Sequence, residues 1–422
     1  MNIHATPQLT PAETALVEAF GERLGTLPGD GAVMSRRDHA IEMVKAGLPT
    51  RRVESWHYTD LRRLLGKVPA FPATSAVKAL DPILEDSHLI TLIDGVWSGK
   101  PPSSEGITFT PLAQKLIDGQ FASSLETYGF DDAIGAINTA FVANGIALDI
   151  AEGAQLEQVV ELQNLQAGGQ SHVRLAVNVG AKAQATIIER QSGEGAGFAT
   201  CVSQLHVGDG ADVTWLIIQE QPETAQNLAQ FKAQIGKDAK LTLFFMNSGG
   251  KLVRQEVHVN VAGEGSDFQM RGINLLAGDN HTDVTMVLDH AVPHTDSTEI
   301  VRNVVTGRAH GVFQGRINVH QIAQKTDARM ACNTLLLSDD AEFSTKPELE
   351  IFADDVACGH GATVTEIQND YLFYLMSRGI TEKTARGLLV KAFVAEVIEE
   401  LEDERLVEAL EARLDDWFAT HG

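Results

Sequence analysis

GAKAQA (180–185), GDGADV (208–213), GKDAKL (236–241) and GEGSDF (263–268) are four copies of one pattern, Gly-x-x-small-x-apolar. Their leading residues, Gly180, Gly208, Gly236 and Gly263, lie 28, 28 and 27 residues apart. A turn residue at a fixed period marks a solenoid, whose units bury their inner faces only by stacking on one another. The runs between the turns, Ala185–Glu189, Val213–Ile218, Leu241–Met246 and Val257–Val261, are rich in strand-forming residues. The reading is therefore a mainly β protein: a flattened parallel β-helix of ~28-residue coils, each with two strands of 7–9 residues and two turns. Ala151/Ala154/Leu156 fits one period earlier, and Gly307/His310/Val312 and Ser338/Ala341/Phe343 are weaker later echoes. A large antiparallel sandwich is the competing fold.

Outward from the repeat, the chain is helical at both ends. Thr10-Pro11-Ala12-Glu13 has the form of a capping box with proline in the first turn. A second helix is expected from Ser35 to the Gly47-Leu48-Pro49 stop. RRVESWHYTDLRRL (51–64) reads as an aromatic-bearing turn entering another helix, and Val68–Val77 as a linker. Asp94-Gly95 marks a hairpin, Asp131–Val142 has helical spacing, and Gly145 opens a strand. Past Gly361 the pattern turns helical again, with Gly379 as a C′ residue and Thr381 capping a helix that carries Phe393. The expected division is 1–80 helical, 81–145 mixed, 146–361 β-helix and 362–422 helical, with the helical ends capping the coil ends.

At the last strand-to-helix junction stand Cys358 and His360, flanked by Gly359 and Gly361. In extended backbone, residues two apart share a face, so thiol and imidazole project together and the glycines admit a close neighbour. A buried cysteine that acts as a small hydrophobe is the bland alternative. Iron–sulfur clusters usually take four protein ligands, mainly thiolates, so this pair could be only part of a set.

Composition limits the other functions. A net charge of −24 disfavours nucleic-acid binding, and the local Arg51, Arg52, Arg62 and Arg63 cluster reads as a solvated face. No apolar run reaches the ~20 residues of a membrane helix. MNIHATPQLTPAE lacks the pattern of a secretory leader, and Cys201, Cys332 and Cys358 are too dispersed for a disulfide framework. The cytoplasm is the expected location. The sequences before Lys100 and Lys251 lack P-loop spacing, and neither GxSxG nor HExxH occurs. His281, His290, His294, His310 and His320 each read as structural histidines. Asp279, Asp283, Asp289 and Asp296 could serve a β-helix polysaccharide lyase or hydrolase, the enzymatic alternative.

PELEIFADDVACGHGATV (347–364) with DYLFYLMSRGI (370–380) resembles the SufB/SufD family of iron–sulfur cluster assembly. GLPTRRVESWHYTDL, INTAFVANG and FQGRINVHQIAQKTDA extend the resemblance over most of the chain. Two departures favour the SufD branch over SufB: no thiol stands in Leu335–Ala341, and Gly361 replaces the glutamate that follows the matching histidine. The resemblance implies a right-handed parallel β-helix between helical regions and a non-catalytic scaffold role. It further implies pairing with a SufB-like paralogue through the β-helices, and docking of a SufC-like ATPase through Tyr371, Phe373, Arg378, Gly379 and Phe393. Cys358 and His360 would contribute to a nascent Fe–S cluster shared with SufB, His360 foremost. Reduced flavin is the expected reductant of the complex, with no cofactor held stably by this chain alone. A homodimeric, self-sufficient cluster carrier is the second alternative.

Overall fold

The computed structural model describes residues 8–72, 77–102, 104–127, 129 and 131–421; residues 73–76 of the expected linker lie outside this set. From Gln170 to Ile351 the chain alternates between two sheets, laying down one ten-residue strand in each per coil. One sheet takes Gln184–Gly193, Asp212–Gln221, Lys240–Gly249, Asp267–Leu276, Asp296–Val305 and Asp327–Leu336. The other takes Gln170–Val179, Phe198–Val207, Gln226–Ile235, Leu252–Val261, His281–His290, His310–Val319 and Glu342–Ile351. Within each sheet these neighbours are parallel, giving a β-solenoid of about eight turns. At ~4.8 Å per coil, the stack is roughly 35–40 Å long.

The repeat read from the sequence is the stacking register itself. Ala185 pairs with Val213, Val213 with Leu241, and Leu241 with Phe268. The leading glycines are required by close approach between coils. A Cβ on Gly180 would lie 2.5 Å from the Glu152 nitrogen, and one on Gly263 only 2.1 Å from the Gly236 carbonyl carbon. Two residues after each leading glycine the backbone is left-handed, at Lys182, Gly210, Asp238 and Gly265. The strands are ten residues long, rather than seven to nine, because the turns between them are correspondingly tight.

Inward residues such as Trp215, Phe231, Phe245, Phe268 and Phe313 fill the space between the sheets. The outward positions are apolar too, as the unbroken runs Trp215–Ile218 and Leu243–Met246 require of strands buried on both faces. This decides where the helices go. Pro11–Arg23, Gly31–Lys45 and Ala133–Phe141 pack with Phe198, Leu228 and Leu252 on the outer face of the second sheet. Glu382–Ile398 and Glu404–His421 cover Ile188, Leu216, Phe244, Ile273 and Val304 on the first. The helices thus clad the two broad faces and do not cap the coil ends, because the outward side chains of both sheets are apolar and need cover.

The first coil end is closed by strands instead. His88–Ile93 pairs parallel with Val160–Gln166 and antiparallel with Val96–Ser98 across the Asp94-Gly95 hairpin. Ile107–Pro111 pairs antiparallel with Asn144–Ile150. Thr10 and Glu13 form the expected reciprocal capping box. The second helix is capped by Asp30, whose Oδ1 accepts the Val33 amide at 2.9 Å, so it begins before Ser35.

Candidate functional site

The other coil end is open. Glu342–Ile351 and Ala357–Thr365 are the terminal strands of their sheets, each with one sheet neighbour. Cys358 and His360 lie on Ala357–Thr365, in register with Ala328 and Met330 of the strand below. Ala328 and Met330 are buried in the solenoid interior, and parallel register gives stacked residues one direction. Cys358 and His360 therefore continue inward-facing rows at the mouth of the stack. Cys358 is half-buried and packs on the interior cluster, whereas His360 is exposed because no coil follows it.

Burial pushes the Cys358 thiol up, and the Asp327 and Glu299 carboxylates add to the effect. A cation replacing the proton reverses that preference, since metal ligation deprotonates a thiol outright. Among the described residues, nothing lies within 4 Å of a Cβ position on Gly359 or Gly361, their chain neighbours aside. Their openness faces outward space. A shallow depression of about 590 Å³ crosses the last three strands of the first sheet, lined by Ile300, Met330, Cys358 and His360 among others. Among the described residues no three His, Cys, Asp or Glu side chains converge to hold a metal ion.

Beneath His360 in the same row come Met330, Glu299 and Met270. Glu299 is fully buried, and burial drives its carboxyl up to about 8. Sequence reading missed it; the signal was a charged residue in a row otherwise filled by Trp215, Leu243, Met270 and Met330. Cys332 is buried, its thiol pushed up to about 11, and it accepts from Asn303 at 3.3 Å.

The helices after the site present a second exposed surface. Asn369–Ser377 buries Leu372 and exposes Tyr371, Phe373, Tyr374 and Met376, with Phe373 at 74%. Leu388 on the next helix, and Phe352 and Val364 near the edge strands, are also exposed. Arg378 lies against Tyr374 and donates to its hydroxyl at 3.0 Å, and Gly379 has φ +87°, as a C′ residue requires. Phe393 turns toward the sheet, half-buried under the Arg302 guanidinium.

The histidines expected to be structural are dispersed. His290 is buried and bonded to Thr295 and Ser297, and burial lowers it to about 4. His281 meets His310 edge to face at 4.9 Å, His294 occupies an exposed turn, and His320 faces Asp289 at 3.9 Å. The carboxylates of the lyase alternative are equally scattered. Asp279 pairs with Arg308 and Asp283 with buried Arg254, while Asp289 and Asp296 lie on different sheets.

Two-sheet parallel β-solenoids clad with helices, ending in an open coil that carries a thiol and an imidazole, are the class that these features define. The chain belongs to the SufBD family: residues 138–393 match the family described as SUF system FeS cluster assembly, SufBD core domain. It is 27% identical to the iron–sulfur cluster assembly protein SufD of Escherichia coli, over 90% of this chain and 91% of that protein. An iron–sulfur cluster assembly SufBD family protein of Mycobacterium tuberculosis is 30% identical over 96% of both chains. One from Synechocystis is 28% identical over 88% of both. No helix among the described residues is long and apolar enough to cross a membrane.

Proposed function

We propose that this chain is a non-catalytic scaffold subunit of SUF cluster assembly, whose open coil end pairs with a SufB-like solenoid. The nascent cluster is then cargo held between the two chains, with His360 and Cys358 as this chain's contribution. The observation that carries the reading is the asymmetry of the two terminal strands. Glu342–Ile351 bears Lys346, Pro347, Glu348 and Glu350, the charges and proline that discourage strand addition. Ala357–Thr365 is ACGHGATVT, with no aspartate, glutamate, lysine, arginine or proline, and its glycines are open. It is the edge available for a partner, and it carries the two ligand-type side chains.

A pair of side chains falls short of the four ligands a cluster usually takes, and no third converges on them among the described residues. A shared site supplies the remainder. The exposed Tyr371, Phe373, Tyr374, Met376 and Leu388, beside Arg378 and Gly379, form the docking face for a SufC-like ATPase within a short reach of the site. Phe393, turned toward Arg302 on the sheet, would serve docking by fixing the helix that carries Leu388. Closure of paired ATPase subunits would then strain the solenoid interface and expose the cargo.

The test is co-expression with a SufB-like and a SufC-like chain, comparing Gly359→Lys with the parent. A lysine on the open edge should abolish recovery of the SufB-like chain while the isolated subunit stays folded. Undiminished recovery would remove this edge from the interface.

A further inference from the structure

The RRVESWHYTDL segment lies outside residues 138–393 of the matched family region, yet it is built into the solenoid. Glu256, Thr285, Gln314 and Lys346 form one outward row across the last four strands of the second sheet. Residues 54–59 meet that row at Lys346 and Gln314 and then cross to the neighbouring Arg254–Asp283 row. The Ser55 carbonyl accepts from Arg254 Nη2 at 2.7 Å and from Gln314 Nε2 at 3.2 Å. The buried Trp56 indole stacks on the Arg254 guanidinium, 3.8 Å from ring centroid to Cζ, and its Nε1 donates to the Asp131 carbonyl at 3.0 Å. Thr59 donates to Asp283 and sits 2.9 Å from His281 Nε2. Arg254 is fully buried between Glu256 and Asp283. At the far end Glu54 pairs with Lys346, on the terminal strand itself.

We propose that residues 54–59 are a strap holding the terminal strand Glu342–Ile351 in register, so that the N-terminal region sets the shape of the open coil end. The need is physical. Glu342–Ile351 has a sheet neighbour on one side only, and every residue along it is at least partly exposed. Such strands open at low free energy unless something beyond the ladder ties them down. The strap is anchored deep, on the buried pair of Asp283 and Arg254, two and three strands away, and reaches the edge through Gln314 and then Lys346. That the strapped end receives a partner rests on the function proposed above; the strap itself does not.

Hydrogen–deuterium exchange of the full-length chain tests it directly. The variant Glu54→Gln, which cuts the exposed tie and leaves the Lys346–Glu348 pair within the strand in place, should speed exchange of residues 343–351 about two- to fivefold, the range of a partly exposed ion pair. Trp56→Ala removes the anchor and should speed it about a hundredfold or more. The central strands 212–221 and 240–249 should keep their protection in both. Unchanged exchange at 343–351 in Glu54→Gln, or acceleration spread evenly over the solenoid, overturns the strap; Glu54→Gln decides alone if Trp56→Ala does not fold. Partner recovery is measured on the same proteins. If the parent chain recovers no SufB-like subunit, the pairing fails while the exchange result still judges the strap.

Discussion

Glu299→Gln should make this protein more stable at neutral pH, by a margin that shrinks steadily as the pH falls toward the ordinary carboxylate range. Glu299 is fully buried, stacked between Met270 and Met330. Among the described residues neither carboxyl oxygen finds a well-formed hydrogen bond, and the nearby Ser297 hydroxyl compensates only in part. Burial therefore raises the group to about 8, against about 4.3 in an unfolded chain. Between those values the folded protein holds one more proton than the unfolded chain, so stability falls as pH rises. The stabilising contribution is complete below about 4.3 and is lost as pH rises through about 8. At ~1.4 kcal/mol per unit, raising the pH from 5.5 to 7.5 costs about 3 kcal/mol from this group alone. Glutamine keeps the shape and removes the titration. Urea unfolding of both proteins at pH 5.5, 6.5 and 7.5 should show the variant's relative stability growing by about that amount. Parallel pH profiles would mean that Glu299 titrates as it does in the unfolded chain, and the reasoning from burial would be wrong.

Three further outcomes follow from the geometry. Gly359→Lys should leave thermal unfolding within ~0.5 kcal/mol of the parent, because among the described residues nothing beyond its chain neighbours lies within 4 Å of its Cβ position. Asn274→Ala should cost about 1–3 kcal/mol in chemical unfolding, since Asn247 donates to Asn274 at 2.9 Å and Asn274 to Asn303 at 2.7 Å inside the stack. Phe373→Ser should lower recovery of the ATPase subunit while leaving the melting temperature unchanged, because the ring is exposed.

The solenoid was legible because its period is a packing requirement: a glycine is forced wherever one coil's turn meets the backbone of the next. The same register could have revealed the interior ladder, since Gln191, Gln219, Asn247 and Asn274 each fall eleven residues after a leading glycine. Polar residues at one phase look like an outward face until the structure shows them bonded inside. The placement of the helices was not read, although Trp215–Ile218 already demanded cover on both sides of its strand. Cys358 and His360 were legible as a pair through their spacing. That they stand at an uncovered end depends on which strand is last, which no local pattern states. Glu299 and the strap escaped because both are defined by contacts between distant segments, such as Glu54 with Lys346.

Anaerobic reconstitution with iron and sulfide, read by iron counting and absorption, tests the shared-site claim most directly. It compares the isolated chain, its assembly with SufB-like and SufC-like subunits, and that assembly carrying His360→Ala. The account predicts a cluster on the assembly, a marked loss with His360→Ala, and no stoichiometric cluster on the isolated chain. A full, stable cluster on the isolated chain, or an undiminished one in the His360→Ala assembly, would contradict it.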